Sequence, residues 1–191
     1  MRERNRPPAT YEDLKKVPQD RVAQLIAGDL HVLPRPSGAH ANLITQLATD
    51  LVGPFQKGRG GPGGWVFLFE PELHLGADVV VPDVAGWRSE RSPLDLVARQ
   101  PFFTLSPDWV CEGLSDSTRS LDRVAKLGVY QRERVGWLWF ADPVARTLEA
   151  FALRDGSYVL LGSWAAGSKA RVPPFEALEY TLDEWWGIPR T

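Results

Sequence analysis

The spacing of apolar residues between positions 37 and 53 predicts an amphipathic helix. Leu43, Leu47 and Leu51 recur at helical intervals, with polar residues at most of the positions between them. We expect this helix to begin near Ser37. It should end before Pro54, because proline lacks the N–H group that the interior of an α-helix requires.

Further along the chain, short runs of β-branched and aromatic residues predict strands. Four runs and one hairpin follow the glycine-rich stretch, and they cover residues 65–75, 77–87, 108–114, 135–143 and 147–164. The hairpin should turn at Asp155-Gly156, a pair typical of tight turns. An earlier pair, Gly28-Asp29, lies between two apolar runs and indicates either a hairpin or a helix-to-strand turn.

Residues from about Ser120 to Arg132 predict a helix between the third and fourth strand runs, with its inward side formed by Leu121, Val124, Leu127 and Val129. A strand–helix–strand order implies a crossover and a parallel strand pair, so the sheet should be mixed. We therefore expect an α/β (α+β) fold, a mixed β-sheet flanked by helices. It should form a single domain over residues 10–188, after an N-terminal tail of residues 1–9.

Composition narrows the class of protein. The chain has 191 residues, of which 43% are hydrophobic and 24% charged, values typical of a globular protein that needs no disulfide to complete its core. The net charge of −2 excludes a general polycation, so any contact with nucleic acid would come from a local patch. A single cysteine and the absence of a long apolar run predict a cytoplasmic protein with no membrane partner.

Two acidic residues follow strand-forming runs where a core strand should stay apolar. Asp83 comes after three valines and Pro82, and proline in a sheet is confined to edges, bulges and strand ends. Glu112 follows the apolar run 109–111. The separation of the two acids allows the chain to return to the sheet, so neighbouring strands could place both carboxylates side by side.

Two carboxylates that approach each other repel unless a cation lies between them. Oxygen ligands favour hard cations, so Mg²⁺ or Mn²⁺ is the expected cofactor. Such an ion can bind a phosphodiester oxygen, lower the pKa of a bound water and stabilise the departing oxyanion. Asp83 and Glu112 are therefore candidate metal ligands and catalytic residues.

Basic residues on the helix after Glu112 extend this hypothesis. From that helix the flexible ammonium group of Lys126 could reach the strand ends and act on the attacking water or the scissile phosphate. Arg119 and Arg123 precede Lys126 on nearly the same helical face and are candidate contacts for nucleic acid.

A simpler interpretation of the same residues stays open. Asp83 is compatible with a strand-end turn, Glu112 with a buried partner of an arginine, and Lys126 with a solvated helix lysine. Glu70 could be an additional metal ligand or a solvent-facing residue. Cys111 should point to the sheet face opposite Glu112 and serve as a small core residue. Trp137 and Trp139 indicate packing in preference to base stacking.

The chain contains, in order, the segments QLIAGDL, SGAHANLITQL, FEPELHLGADVVVPDVAGWRSE, PDWVCEGLSDSTRSLDRVAKLGVY and VGWLWFADPVARTLEAF. This ordered set resembles the Uma-two (Uma2) family, a bacterial branch of the PD-(D/E)XK nuclease superfamily. The resemblance extends from about Tyr11 to Trp186, and its most specific part is the block from Asp108 to Pro143.

The resemblance implies a restriction-endonuclease-like core and a role for each matching residue. Asp83 matches the motif aspartate and Glu112 the second acid. Leu114 stands where other branches have the catalytic lysine, which this family is thought to carry on the following helix, where Lys126 matches it. His40 matches a frequent histidine, which would contact the substrate or the site, although a polar residue at a helix start is the simpler explanation.

Two departures from the family pattern bear on activity. Gln24 stands where the family often has an acid that is counted with the active site; its amide can still bind water or metal. Gly113 and Asp116 replace a usual valine and proline after Glu112, and glycine would loosen the strand beside a ligand.

The leading hypothesis is a Mg²⁺- or Mn²⁺-dependent DNA endonuclease. Asp83 and Glu112 would hold the metal, Lys126 would orient the water, and Gln24 would assist. A second hypothesis is a catalytically weakened nuclease fold that binds nucleic acid or a partner without cleavage, which Gln24 and Gly113 favour. A third is a structural or regulatory domain without metal. A homodimer is compatible with cutting two strands, which needs two sites.

Overall fold

The strands form three β-sheets, against which short helical segments pack. The computed structural model describes residues 7–91 and 101–187. Within these ranges the strands are β1 (Val22–Ile26), β2 (Asp29–Leu33), β3 (Trp65–Phe69), β4 (Leu73–Leu75), β5 (Asp78–Val80), β6 (Val84–Arg88), β7 (Trp109–Gly113), β8 (Trp137–Asp142), β9 (Thr147–Arg154), β10 (Ser157–Ala165), β11 (Lys169–Ala170) and β12 (Tyr180–Thr181). The helical segments are α1 (Tyr11–Leu14), α2 (Gly38–Leu51), the π-helical turns π1 (Val52–Gln56) and π2 (Leu121–Lys126), α3 (Leu127–Arg132) and a 3₁₀ turn (Leu182–Glu184).

The largest sheet is mixed, as the sequence predicts. Its six strands lie in the order β10-β9-β8-β7-β6-β3. Neighbours run antiparallel except β7 and β8, which are parallel, with Trp109 opposite Trp137. Segments π2 and α3 connect these two strands, so the predicted strand–helix–strand unit is confirmed.

The predicted continuous strands over 65–75 and 77–87 are wrong, because each divides between two sheets. Strands β3 and β6 belong to the six-stranded sheet, whereas β4 and β5 join β1 and β2 in a second sheet of order β2-β1-β5-β4. Each break contains a proline, Pro71 or Pro82, which cannot donate to a strand ladder. The second break leaves Asp83 at the junction between the two sheets.

Helix α2 has the predicted amphipathic face but not the predicted end. Its buried leucines face the core as expected: Leu43, Leu47 and Leu51. Instead of stopping before Pro54, the chain continues through π1, which closes with a hydrogen bond from Lys57 N–H to the Val52 carbonyl at 3.0 Å. Because Pro54 cannot donate the usual i to i−4 bond, the turn widens rather than ending.

The helix after β7 occupies residues 121–132, close to the predicted range. Of the four residues predicted to face inward, Val129 is buried and Leu121 and Leu127 pack against the core, but Val124 does not. Val124 is 70% exposed, while Asp122 and Lys126 are buried. The prediction of an inward Val124 assumed that apolar residues at α-helical spacing all face the core. In the structure, two opposite charges on one face can be buried because they pair with each other, and the first part of the segment has π-helical pitch.

Two apolar clusters cover the faces of the six-stranded sheet. Helix α2 and the segment from Ala170 to Trp185 pack on one face, and α3 packs on the other. Cys111 and Trp139 belong to the α2 side, with Trp137 packed against it, which confirms their assignment to packing. Strand alternation places Glu112 on the opposite face from Cys111, as predicted.

Two tight turns join neighbouring antiparallel strands, β1 to β2 and β9 to β10. The predicted hairpin at Asp155-Gly156 is present. Of the two alternatives for the earlier turn the hairpin is the observed one, but it turns at Ala27 (φ 53°) and Gly28 (φ 79°), one residue before the predicted Gly28-Asp29 pair. Residues 1–6 of the predicted tail and the boundary at residue 188 lie outside the described ranges. Ala9 N–H donates to the Gly28 carbonyl at 2.9 Å. Within the described ranges, the helices are too short or too polar to cross a bilayer.

Candidate active site

A cavity of about 280 Å³ lies where β6 begins, β7 ends and α2 starts. It brings together five of the seven residues predicted to be catalytic, metal-binding or in contact with nucleic acid. Two other acids also line it, of which only Glu70 was considered as a possible metal ligand from the sequence. The five are Gln24, His40, Asp83, Glu112 and Lys126, and the two acids are Glu70 and Asp122. We call this space the site cavity.

Asp83 and Glu112 meet at the site cavity because β6 and β7 are antiparallel neighbours. Val84, the first residue of β6, pairs with Cys111, so the residue before β6 lies beside the last residues of β7. The N–H of Gly113 donates to Asp83 Oδ2 at 2.6 Å. The two acids therefore line one cavity, although Asp83 precedes a strand and does not end one.

His40 holds the other oxygen of Asp83. Its Nε2 lies 2.8 Å from Asp83 Oδ1, and the imidazole is buried. Burial lowers the pKa of His40, but the hydrogen bond to Asp83 and the charges of Asp83, Asp122 and Glu70 outweigh burial, so the pKa rises above its ordinary value. The imidazole therefore belongs to the carboxylate cluster and is more than a helix-start polar residue.

Glu112 is fully enclosed by the protein. Its Oε2 accepts from Lys126 Nζ at 2.9 Å, and its Oε1 accepts from the Tyr130 hydroxyl at 2.5 Å. Burial raises the pKa of Glu112 to about 8, reinforced by the charges of Asp122 and Asp83 and opposed by Lys126 and Tyr130. Of the simpler interpretations, a partnership of Glu112 with an arginine is wrong, since its cationic partner is Lys126.

The ammonium group of Lys126 lies at the centre of this cluster, so its interpretation as a solvated lysine is wrong. Besides Glu112, Nζ contacts Asp122 Oδ1 at 3.1 Å and the Val81 carbonyl at 3.1 Å. Burial lowers the pKa of Lys126, but the charges of Glu112, Asp122 and Asp83 raise it above its ordinary value. Nζ has three protons and three protein acceptors, which fix its position.

Sequence reasoning missed two members of the cluster, Asp122 and Tyr130. Both are buried, and Asp122 is 2% exposed. They lie four residues before and four residues after Lys126, so the three residues form one polar stripe along the helix. This i, i+4, i+8 spacing is visible in the sequence, but a search for apolar periodicity does not detect it because two of the three residues are charged.

Gln24 and Glu70 line the site cavity at the border of the carboxylate cluster. The Gln24 side chain is buried, and its Oε1 accepts from Val81 N–H at 2.9 Å, so it anchors the same peptide segment that Lys126 contacts. Glu70 is exposed at the cavity wall and adopts a left-handed φ of 46°, which is uncommon for a residue with a side chain.

The side chains of the cluster offer mainly oxygen atoms as potential metal ligands. Three carboxyl groups (Asp83, Glu112 and Asp122) supply oxygen atoms at this place, beside the ammonium group of Lys126. Within residues 7–91 and 101–187, no group of three or more His, Cys, Asp or Glu side chains is arranged to hold a metal. A Mg²⁺ ion needs only one or two carboxylates and keeps several waters, so two acids suffice chemically.

Arg119 and Arg123 lie away from the site cavity. Arg119 contacts Asp142 at 2.5 Å, and Arg123 pairs with Glu149 and lies over the ring of Phe140. Their predicted place on the face of Lys126 is wrong, because Lys126 is buried while both arginine side chains are more than one-third exposed. Contact of these arginines with nucleic acid stays a prediction.

Gly113 makes room for His40. A Cβ atom at position 113 would lie 2.7 Å from Cε1 of the His40 ring and 3.1 Å from its Nδ1. The imidazole therefore passes over the backbone of Gly113 to reach Asp83, a path that a larger residue would block. The glycine that departs from the family pattern is thus matched to the position of the histidine.

We expect Gly113→Ala to reduce the free energy of unfolding by about 1–3 kcal/mol, the usual effect of overpacking. The displaced imidazole should lose its bond to Asp83, so the pKa of His40 should fall, which NMR titration would detect. Gly128→Ala is the control: nothing lies within 4 Å of its Cβ position, and alanine there should stabilise the helix by up to about 1 kcal/mol. A Gly113→Ala protein with unchanged stability and unchanged His40 titration would contradict this assignment.

Comparisons with known proteins agree with this architecture. The Uma2 family model, described as "Putative restriction endonuclease", matches residues 8–183. No curated protein matches the sequence. The fold is similar to that of a solved structure from Anabaena variabilis ATCC 29413, described as a putative nuclease belonging to DUF820, with a TM-score of 0.74 and 18% identity over 95% of this chain and 99% of that chain. At that identity the likeness shows the fold, and the match over most of the sequence places this chain in the Uma2 family.

Proposed function

We propose that this protein is a divalent-metal-dependent endonuclease that hydrolyses phosphodiester bonds of DNA. The observation that carries the proposal is the arrangement in one cavity of Asp83 and Glu112 with the buried ammonium group of Lys126. Membership of a family described as putative restriction endonucleases supports it, as does the set of carboxyl oxygens in the site, which are ligands that hard divalent cations prefer.

In this proposal Asp83 and Glu112 hold Mg²⁺ or Mn²⁺. When bound, the ion would supply a polarised phosphate oxygen and a water of lowered pKa. His40 and the Gly113 N–H orient Asp83, and Tyr130 and Lys126 orient Glu112, so both carboxylates keep fixed directions without the ion.

Lys126 has two tasks in this proposal. Its charge lowers the pKa of Glu112 and so favours the ionised carboxylate that would bind a cation. Its position at the cavity wall also offers positive charge to the phosphate. Because the three Nζ protons already have acceptors, we assign it to charge stabilisation and positioning, in preference to direct proton transfer from water.

A second candidate function is binding of nucleic acid without cleavage. It is favoured by the hydrogen bonds that already occupy all four carboxylate oxygens of Asp83 and Glu112. A cation would have to share these oxygens with protein donors, which weakens its binding. Carboxylate oxygens have a second lone pair for such sharing, so the enzyme remains the leading proposal.

Incubation of supercoiled plasmid with the purified protein tests the proposal. We expect nicking in Mg²⁺ or Mn²⁺, none in a chelator, and a rate at least about 100-fold lower for Asp83→Asn, since even residues behind a metal ligand contribute 10- to 100-fold. Lys16→Met is the control, because the Lys16 side chain is 73% exposed and does not line the site cavity. Retention of plasmid on a gel without nicking would support the binder, and neither retention nor nicking would leave a domain without this activity.

A further inference from the structure

A groove of about 490 Å³ runs along one side of α2. Its wall consists of small or aliphatic residues of that helix and one aromatic residue from the end of β3. We call it the α2 groove, and its walls are formed by Ala41, Ile44, Thr45, Ala48, Thr49 and Phe69. Its volume lies in the range of pockets that take small organic groups.

The α2 groove opens directly onto the site cavity. Four residues line both spaces: Pro36, His40, Glu70 and Asp83. A molecule held at the carboxylates can therefore extend into the groove without leaving the protein surface. The groove is thus a candidate subsite for the part of the substrate next to the reacting group.

The chemistry of the groove favours a flat, uncharged group over a phosphate. None of the described residues that line it is a lysine or an arginine, and two acids lie at the end shared with the site cavity. Its apolar wall includes Phe69, which is 44% exposed at the end of an edge strand of the six-stranded sheet. An exposed aromatic ring beside an apolar helix face stacks well on a nucleobase, because every base has a π-face.

We propose that the α2 groove holds one unstacked nucleobase, next to the phosphate at Asp83 and Glu112, with the Phe69 ring as its stacking partner. This inference rests on the proposed function, and it adds the substrate class: DNA that is single-stranded or locally unpaired beside the cleaved bond. A base within an intact duplex remains stacked on its neighbours and is not available to the groove. Protein partners fit less well, since stable interfaces need far more area than one groove.

Binding of a single-stranded oligonucleotide that contains 2-aminopurine tests this assignment. The fluorescence of this base is quenched when it stacks, so we expect quenching by the wild-type protein in Ca²⁺. Phe69→Ala should weaken binding by about 10-fold and abolish the quenching. Phe69→Trp should retain both, because tryptophan also stacks on bases.

Leu160→Ala is the matched control. Leu160 is 50% exposed on β10, at the opposite edge of the same sheet, so its removal takes away a comparable apolar surface far from the groove. It should change neither binding nor quenching. In cleavage assays with Mg²⁺, Phe69→Ala should raise KM for single-stranded DNA about 10-fold with little change in kcat.

The outcomes separate this inference from the proposed function. Phe69-dependent quenching without any cleavage would uphold the groove and overturn the nuclease. Cleavage that is equal in wild type and Phe69→Ala, or that is faster on intact duplex than on single strands, would overturn the groove alone. A Phe69→Ala variant that dissociates a dimer in sedimentation without altering the quenching would instead assign Phe69 to a contact between two copies of the chain.

Discussion

A Lys126→Met variant is expected to lose nicking activity and to unfold with a free energy about 3–5 kcal/mol below that of the wild type, the usual result of removing one partner from a buried charge pair. Lys126 Nζ is the cation bonded to Glu112 and Asp122, at 2.9 and 3.1 Å, and all three side chains are at most 4% exposed. Methionine fills much of the same volume, so the loss reports the charge and not a cavity. Urea unfolding at pH 7 measures it.

A double variant separates charge from packing. Lys126→Met with Asp122→Asn removes one charge of each sign, and Glu112 can take up a proton, so most of the lost stability should return. Nicking should not return, because the ammonium group is still absent. Lys16→Met, at an exposed ion pair, should change stability by no more than about 0.5 kcal/mol. A Lys126→Met protein as stable as the wild type would contradict the buried ion-pair cluster.

A Glu112→Gln variant, measured without divalent cations, is expected to gain stability relative to the wild type by a few kcal/mol as the pH rises from about 4.5 to about 8. The folded protein holds the pKa of Glu112 near 8, against an ordinary value of 4.5. Folding therefore favours the protonated acid, and the wild type should lose stability as the pH rises from about 4.5 to about 8. Glutamine resembles the protonated acid and should lack this slope.

Thermal unfolding from pH 4.5 to pH 9 measures this difference. The two proteins should have similar stability near pH 4.5 and diverge steadily up to about pH 8. Glu149→Gln is a suitable control, because Glu149 pairs with Arg123 on the exposed side of the helix and does not line the site cavity. Parallel stability curves for wild type and Glu112→Gln would contradict the burial of an acid with a raised pKa.

The acids at the sheet junction were within reach of sequence reasoning. Pro82 cannot join a strand ladder, and a carboxylate directly after it had to lie at a break in the sheet. Glu112 interrupts an apolar run, and a fully buried acid requires a specific partner. These local rules predict that Asp83 and Glu112 belong to a site. They do not predict the sheet face on which each acid lies, the end of the strand, or the cation with which it pairs.

The helix after Glu112 shows where such reasoning failed. The apolar pattern predicts that Val124 faces the core, whereas in the structure Val124 is exposed and Asp122 and Lys126 are buried. Burial of a charge is favourable only beside its partners, and the partner Glu112 comes from a strand that the helical pattern does not describe. Periodicity within one segment cannot account for a contact made with another.

The amino-acid sequence was sufficient to predict the family, the mixed sheet with its strand–helix–strand unit, and the types of residue in the candidate site. Those properties follow from local rules of backbone geometry and from the order of motifs along the chain. Three features could be found only in the folded chain: His40 crosses Gly113 to reach Asp83, Tyr130 donates a hydrogen bond to Glu112, and the α2 groove adjoins the acids. These contacts join residues from separate elements, and their energies depend on distance and burial, which exist only after the chain has folded.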